Sequence, residues 1–412
     1  MHSLPKKSEI ISDLGDRSLP IPPINKLMGI LVKKHYEGNH MHYLEALQKT
    51  LNEVIKPLVT KTDTEAAFPH EAIQALGKNG ILGLLSDKQL GGEGLGLGDA
   101  ASVIEAIASV CPSTAMILMM HYSATVVIEK YGSNEVRTDI ARGQHLSTLA
   151  WSEVSSRSHF WAPSGTAEKL ADGYMINSQK TMVTSASHAD SFVWSSKPGE
   201  GVGASTLWLV KKYQEGLSSP KAFDGLGLRG NDSAPMVARN MKLTSDSMLG
   251  TDGGGFDIMI NTVLPVFSVL NASASIGIMN GAMALAIQHV TAQKFEHQDS
   301  CIAELATIRA YLAKAKIQMD MTRTLRDDTL TAIKDNRADA MLRVMEVKAA
   351  AAESALTVTD SCMRVCGGAA FRKDLGLEKL FRDARSASVM APTSDVLFDF
   401  IGKAICDMPV FG

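Results

Sequence analysis

From about Met41 the apolar residues recur at three- and four-residue spacing: Met41, Leu44, Leu47, Leu51 and Val54. That period predicts a helix with one buried face. Pro69 suits the first turn of a second helix carrying Ile73 and Leu76; Asn79-Gly80 ends it, and Leu84 packs from the turn beyond. Ile107 to Val127 is strongly apolar but includes Pro112, Ser113, Thr114, His121, Tyr122 and Ser123. That mixture predicts a buried helix and no membrane span. Near Gly143 the period changes. Leu146–Trp151, Gly173–Ile176, Phe192–Ser195, Leu207–Val210 and Val237–Leu243 read as strands, with turns at Asp172-Gly173 and Pro198-Gly199. After Gly253-Gly254-Gly255 three long helical segments follow: Phe256–Glu296, bent or begun at Pro265, then Ile302–Lys334 and Ala338–Cys366. Pro5, Pro20, Pro22 and Pro23 break residues 1–40 into an irregular arm. The pattern predicts an α+β protein: arm and helical domain over 1–144, a compact β domain over 145–250, and a helical bundle over 251–412.

Composition narrows the function classes. At 412 residues the chain exceeds one ordinary core, and 45% hydrophobic with 21% charged residues is typical of a globular protein. Forty-one Lys+Arg against 44 Asp+Glu gives a net charge of -3, which gives no support to nucleic-acid binding. Five cysteines without a CxxC pair, and no signal peptide pattern, fit a cytoplasmic location. Cys362 and Cys366 share a helix face as small packing residues. The run Gly91, Gly92, Gly94, Gly96, Gly98 lacks the preceding strand of a dinucleotide fingerprint and reads as a tight turn between helices. Glu296 and His297 are adjacent and do not form a zinc motif; there is no P-loop and no Ser-His-Asp context.

Several strings, in order along the chain, carry a stronger signal. Gly91-Gly92-Glu93-Gly94, His121 and Gly132-Ser133-Asn134-Glu135 precede Leu149-Ala150-Trp151-Ser152-Glu153. Then come Gly173-Tyr174-Met175-Ile176-Asn177 with Lys180, Met182 and Thr184, and Leu226-Gly227-Leu228-Arg229-Gly230. Cys366-Gly367-Gly368-Ala369-Ala370-Phe371, Leu377–Arg385 and Thr393-Ser394-Asp395 close the series. Singly these are ordinary hydroxyls, helix-ending glycines and surface ion pairs. Together they resemble the acyl-CoA dehydrogenase superfamily across about three quarters of the chain. The resemblance implies FAD, a central β-barrel-like domain and a C-terminal four-helix bundle. Ser152 and Thr184 fall on the hydroxyls that bond the flavin ring, next to Trp151, and Met182 replaces a tryptophan flanking it. Arg364, Gly367, Gly368, Thr393 and Asp395 fall on the remaining cofactor contacts, the glycines approaching a flavin of the neighbouring subunit. A homotetramer or homodimer with shared flavin sites is therefore expected. Ser158, Phe267, Arg382 and Ala391 fall on the substrate side.

The chemistry of the resemblance is incomplete. The family removes an α-proton with a glutamate placed just before Gly-Thr-Ser-Glu; here that position is Ala391. The alternative position on an earlier helix is Phe267, in a run without a carboxylate. His121, His159, Glu296 and His297 are the remaining candidates for proton transfer. Three readings follow: an oxidoreductase of an acyl thioester (CoA- or carrier-protein-linked) or related small apolar substrate, working without the usual base; a flavin-dependent monooxygenase or N-hydroxylase of the same fold; or a non-catalytic ligand-binding or interaction protein. The first two imply a separate electron acceptor or flavin reductase.

Overall fold

The computed structural model describes residues 41–411 apart from 155, 157 and 296–299. Helix α1 (Met41–Thr50) passes through a π turn, Leu51–Ile55, into α2 (Lys56–Thr64). Its buried stripe is Tyr43, Leu47, Leu51 and Ile55, one residue in four. On a 3.6-residue helix that spacing drifts round the axis, and the wider turn recovers part of the drift. Pro69 directly precedes α3 (His70–Lys78). The glycine-rich run is a tight turn: the N–H groups of Gly91 to Leu95 all donate to carbonyls within residues 83–88. None of these five remains to cradle a phosphate. Helices α4 (Leu97–Ala108), α5 (Pro112–Tyr131) and α6 (Asn134–Ala141) follow. α5 is apolar nearly all round and correspondingly buried.

The middle of the chain holds β1 (Ser147–Ala150), β2 (Thr166–Leu170), β3 (Gly173–Val183), β4 (Ser191–Ser196), β5 (Thr206–Lys211), β6 (Leu217–Ser218) and β7 (Ala234–Leu243). The expected barrel-like closure does not form. The strands divide into an open three-stranded sheet, β1-β4-β5, and an open four-stranded sheet, β2-β3-β7-β6. β1 pairs with β4 in parallel, and the other pairings are antiparallel. Edges remain at β1, β5, β2 and the two-residue β6, and so short an edge strand cannot carry the continuous ladder that a barrel needs. Side chains join the sheets instead. Trp194 on β4 lies opposite Trp208 on β5, both fully buried. Trp194 Nε1 donates to Ser178 Oγ on β3 at 2.9 Å.

A buried ion pair reinforces that junction. Tyr174, Ile176, Ser178 and Lys180 share the inward parity of β3, so Lys180 points into the core and is fully buried. Its Nζ donates to Glu153 Oε1 at 2.6 Å and to the carbonyl and hydroxyl of Ser195 on β4 at 2.7 and 2.8 Å. Glu153 Oε2 accepts from Ser164 N, Ser164 Oγ and Gly165 N at 2.6, 2.5 and 3.1 Å. Gly165 has no room for a side chain: a Cβ there would lie 2.2 Å from Ser178 Cβ. Burial pulls the Lys180 ammonium down to about 8 against the attraction of Glu153. Burial would raise the Glu153 carboxyl, but Lys180 and the bonds from Ser164 hold it below the usual range.

Beyond the sheets, α7 (Gly255–Asp257) leads through a second π turn, Ile258–Val263, into α8 (Leu264–Ala292), where Pro265 lies in the first turn. A two-stranded ribbon, Lys294–Phe295 with Ser300–Cys301, precedes α9 (Ala306–Lys334), α10 (Ala340–Cys366), α11 (Leu377–Val389) and α12 (Ser394–Ile405). Helices α8 to α11 form the bundle, with α8 also packed on α4 and α5. Gly277 and Gly281 permit that crossing: a Cβ at either would lie 2.3 or 2.4 Å from the carbonyls of Glu105 and Ser109. The stretch Gly255–Ala292 is long and apolar enough to cross a membrane, but 78% of its most apolar window is buried inside the fold. Residues Tyr43–Gly412 form one compact unit.

Two stability predictions follow from these buried groups. His121 on α5 lies 3.0 Å from Leu82 O through Nε2, and its Nδ1 accepts from Ser147 N at 3.1 Å. Nδ1 is thus an acceptor, the ring is neutral, and burial lowers its pKa from 6.5 to about 4. The unfolded chain binds the proton first, so His121's contribution is complete above pH 6.5 and is lost as pH falls through 4. Acidification over that window should cost about 3 kcal/mol through this group. The difference in urea-unfolding free energy between the two pH values should therefore be smaller in His121→Gln by a comparable amount. Lys180→Met, which strands the Glu153 charge, should cost about 3–5 kcal/mol in the same assay, and adding Glu153→Gln should recover much of the loss.

Candidate flavin and substrate pocket

A pocket of about 400 Å³ opens between the two sheets, the start of α8 and the end of α11. The residue order explains who lines it. β1 ends at Ala150, and the chain leaves it through Trp151 and Ser152 before Glu153 is captured by Lys180. The anchor, with the bond from Thr181 N to Ser152 O at 2.9 Å, holds Trp151 and Ser152 in the wall. On β3 the register with β7 shifts between Lys180 and Val183. Such a bulge re-aims side chains, and Met182 stands 57% exposed at the pocket while its neighbour Val183 is buried. Thr184 follows in the wall. The far side is apolar: Met120, Leu149, Val263, Leu264, Phe267, Met390 and the methyl of Ala391.

A third wall is the loop spanning residues 223–233, which is clamped from behind. Leu228 N donates to Asp383 Oδ1 at 2.6 Å, and Lys379 Nζ donates to Asp383 Oδ2 at 2.6 Å. Arg382 donates to Leu226 O at 2.7 Å and pairs with Asp63 and Glu378, each at 2.6 Å. Arg229 Nε donates to Asp63 O at 2.7 Å. Within this loop Leu228 and Asp232 take positive φ, 52° and 51°, which residues other than glycine rarely adopt; Leu228 is held there by Asp383, and Asp232 by bonds from Ala186 N and Ser187 N.

The pocket gathers seven residues expected at the site: Trp151, Ser152, Ser158, Phe267, Met182, Thr184 and Ala391. The others lie elsewhere. Arg382 braces the loop from outside. Arg364 is exposed and packs over Tyr311. Gly367 and Gly368 are exposed, and a Cβ on either would meet nothing in this chain. Gly367 has φ 58° and ψ -139°, a conformation essentially confined to glycine. Thr393 caps α12, its Oγ1 accepting from Val396 N, and Asp395 is exposed in the first turn. His121 is enclosed in the helical core, and its ring is occupied by Leu82 and Ser147. His159 is exposed, edge-on to Trp161, and does not line the pocket. Glu296 and His297 lie outside the described residues.

Glu153 is the one carboxylate among the pocket's described lining residues, and Arg229 the one cation. Glu153 is not free to accept a proton, because four donors already occupy its two oxygens. Neither had been singled out for a role from the sequence. The strand parity that places Lys180 inward was the available signal, since a buried ammonium needs close polar partners and an acid is the strongest of them.

The donor set suits a flat, amphipathic ring. The hydroxyls of Ser152 and Thr184 line the pocket and take no hydrogen bond from or to the described residues, so their polarity is available to a ligand edge. Met182 and the aliphatic far wall offer apolar faces.

Comparison with known proteins agrees with this geometry. Residues 37–143, 148–241 and 253–406 match the N-terminal, middle and C-terminal domain models of the acyl-CoA dehydrogenases. The chain is 27% identical over 379 residues to cyclohex-1-ene-1-carbonyl-CoA dehydrogenase of Geobacter metallireducens, covering 90% of this chain and 99% of that one. It is 27% identical over 365 residues to the human mitochondrial short-chain specific acyl-CoA dehydrogenase, covering 87% of each. Among solved structures, butyryl-CoA dehydrogenase from Megasphaera elsdenii superposes with a TM-score of 0.84 at 20% identity, over 90% of this chain and 99% of that one. The prolyl acyl carrier protein oxidase AnaB gives 0.80 at 19%, over 90% and 100%. Three consecutive domain matches, in order and over nearly the whole chain, establish that the protein belongs to the acyl-CoA dehydrogenase superfamily and is an FAD-dependent oxidoreductase of that fold.

Proposed function

We propose that this protein oxidises an acyl thioester whose α-carbon is already acidified, so that no carboxylate base is needed. The observation that carries this reading is the pocket itself. Hydroxyls suited to a flavin face a wall in which Ala391 and Phe267 stand where a base is expected, and Glu153 is consumed by Lys180, Ser164 and Gly165. The thioester class is supported by relatives whose names specify CoA thioesters and by one named for a carrier-protein-linked prolyl group.

Ser152 and Thr184 would hold the polar edge of the FAD ring, with Trp151 and Met182 beside it. When bound, FAD supplies a two-electron acceptor. The chain's own residues then orient and exclude. Phe267, Val263, Leu264 and Met390 keep water from the reacting carbons, and the clamped 223–233 loop fixes the opposite wall. Holding the substrate in one pose lowers the entropic part of the barrier to reaction. The α-proton of so acidic a substrate passes to solvent water as the substrate enters, before the wall encloses it, and no carboxylate is needed to take it; an unpaired one among these aliphatic side chains would be penalised.

The exposed Gly367-Gly368 turn, with Phe371 84% exposed after it, supports assembly as a homodimer or homotetramer in which this turn reaches a neighbouring flavin. Arg364, Thr393 and Asp395 are assigned to the same cofactor's outer portion. The five free cysteines support a cytoplasmic location. An electron acceptor or flavin reductase completes the cycle.

Anaerobic rapid mixing of the FAD-loaded protein tests the reading. 2-Phenylpropionyl-CoA, whose α-proton is acidified by both phenyl and thioester, should bleach the long-wavelength flavin band, and butyryl-CoA should do so far more slowly. Ala391→Glu should accelerate reduction by butyryl-CoA by about 10²-fold or more. Equal rates with both thioesters in the wild type would contradict the proposal. Turnover only with oxygen and a separate reductase would instead favour the monooxygenase chemistry, which requires no α-proton base.

A further inference from the structure

Lys348 sits in the middle of α10 and is fully buried. No acid lies within ion-pair distance of it among the described residues. Its Nζ instead donates to three main-chain carbonyls: Ala387 O at 3.1 Å, Met390 O at 3.0 Å and Pro392 O at 2.7 Å. An ammonium has three protons, so its donor capacity is filled. The acceptors come from the last turn of α11 and from the connection to α12, where carbonyls lack helical partners. Burial draws the Lys348 ammonium down to about 7, and the three carbonyl dipoles favour its charged form.

The bonded connection contributes Met390 and Ala391 to the pocket wall. Asn271 on α8 touches the same stretch, its Nδ2 lying 3.8 Å from Met390 Sδ. At its far end Thr393 caps α12. The stretch has no β partner; Met390 N donates to Ser386 O at 3.0 Å, and Lys348 supplies the bonds to the carbonyls of Met390 and Pro392.

We propose that Lys348 is a positioning residue for the substrate pocket, holding the 390–392 connection so that Met390 and Ala391 close the wall. The proposal rests on that pocket being the substrate site. Removing the three donors leaves three buried carbonyls unpaired, and the connection must move to hydrate them. Because the wall contacts bound substrate without taking part in bond changes, its displacement acts on binding and spares the chemical step.

The test uses the full-length FAD-loaded protein and Lys348→Met, which matches the lysine stem and removes only the ammonium. Peptide-resolved hydrogen–deuterium exchange should show faster exchange in residues 386–397 with little change in β3 or β7. With 2-phenylpropionyl-CoA, KM should rise about tenfold while kcat stays within about threefold, and FAD stoichiometry should be unchanged. Lys348→Gln, which retains two donors, should fall between wild type and Lys348→Met, and it substitutes in the test if Lys348→Met does not fold. Unchanged exchange in residues 386–397, or a loss of kcat with KM unaltered, would overturn the proposal. If the wild type is reduced by neither thioester, the reading of the substrate fails, and the exchange data alone decide the role of Lys348.

Discussion

The Glu153–Lys180 pair organises the rest of the molecule. It lies in the junction of two open sheets and is reached from both: Lys180 from β3, and Ser195 from β4. With the bond from Thr181 N to Ser152 O at 2.9 Å, it fixes the course of the segment leaving β1, so that Trp151 and Ser152 share a wall with Met182 and Thr184. Burying two charges is costly, and such a pair persists only where every remaining lone pair and proton is satisfied. Ser164, Gly165 and Ser195 meet that condition here.

The same satisfaction has a chemical consequence. A carboxylate with four donors, one of them a cation at 2.6 Å, is held ionised for structural reasons and offers no vacancy for a substrate proton. Among the described lining residues the pocket therefore contains a glutamate but no carboxylate free to act as a base. At the two positions where the family would place one, a methyl group and a phenyl ring add to an apolar wall. The clamped 223–233 loop and the Lys348-bonded connection show that this wall is held in place by specific polar contacts made behind it.

Much of this was legible in the sequence, for identifiable reasons. Long helices such as α9 and α10 repeat their pattern over many turns, and β4 and β5 are short apolar runs between turns. Ser152, Met182, Thr184 and Ala391 were found through ordered strings resembling a family, and the pocket brings them together. β2 was missed because Thr166–Leu170 is mostly exposed and carries no apolar alternation. β6 was missed because two residues carry no period. Barrel closure depends on strand partners far apart in the chain, which local pattern does not encode. The same is true of the bonds that matter most: Leu228 meets Asp383 across 155 positions, and Lys348 meets Pro392 across 44. Gly367, Gly368 and Arg364 lie on the outside of the chain, away from this pocket.

The central claim is that no protein carboxylate in the pocket takes up the substrate's proton. Difference infrared spectroscopy of the FAD-loaded protein, before and after anaerobic addition of 2-phenylpropionyl-CoA, observes carboxyl protonation directly. The account predicts no new protonated-carboxyl stretch while the flavin is reduced. A protonated-carboxyl band that grows with flavin reduction and disappears in Glu153→Gln would contradict it.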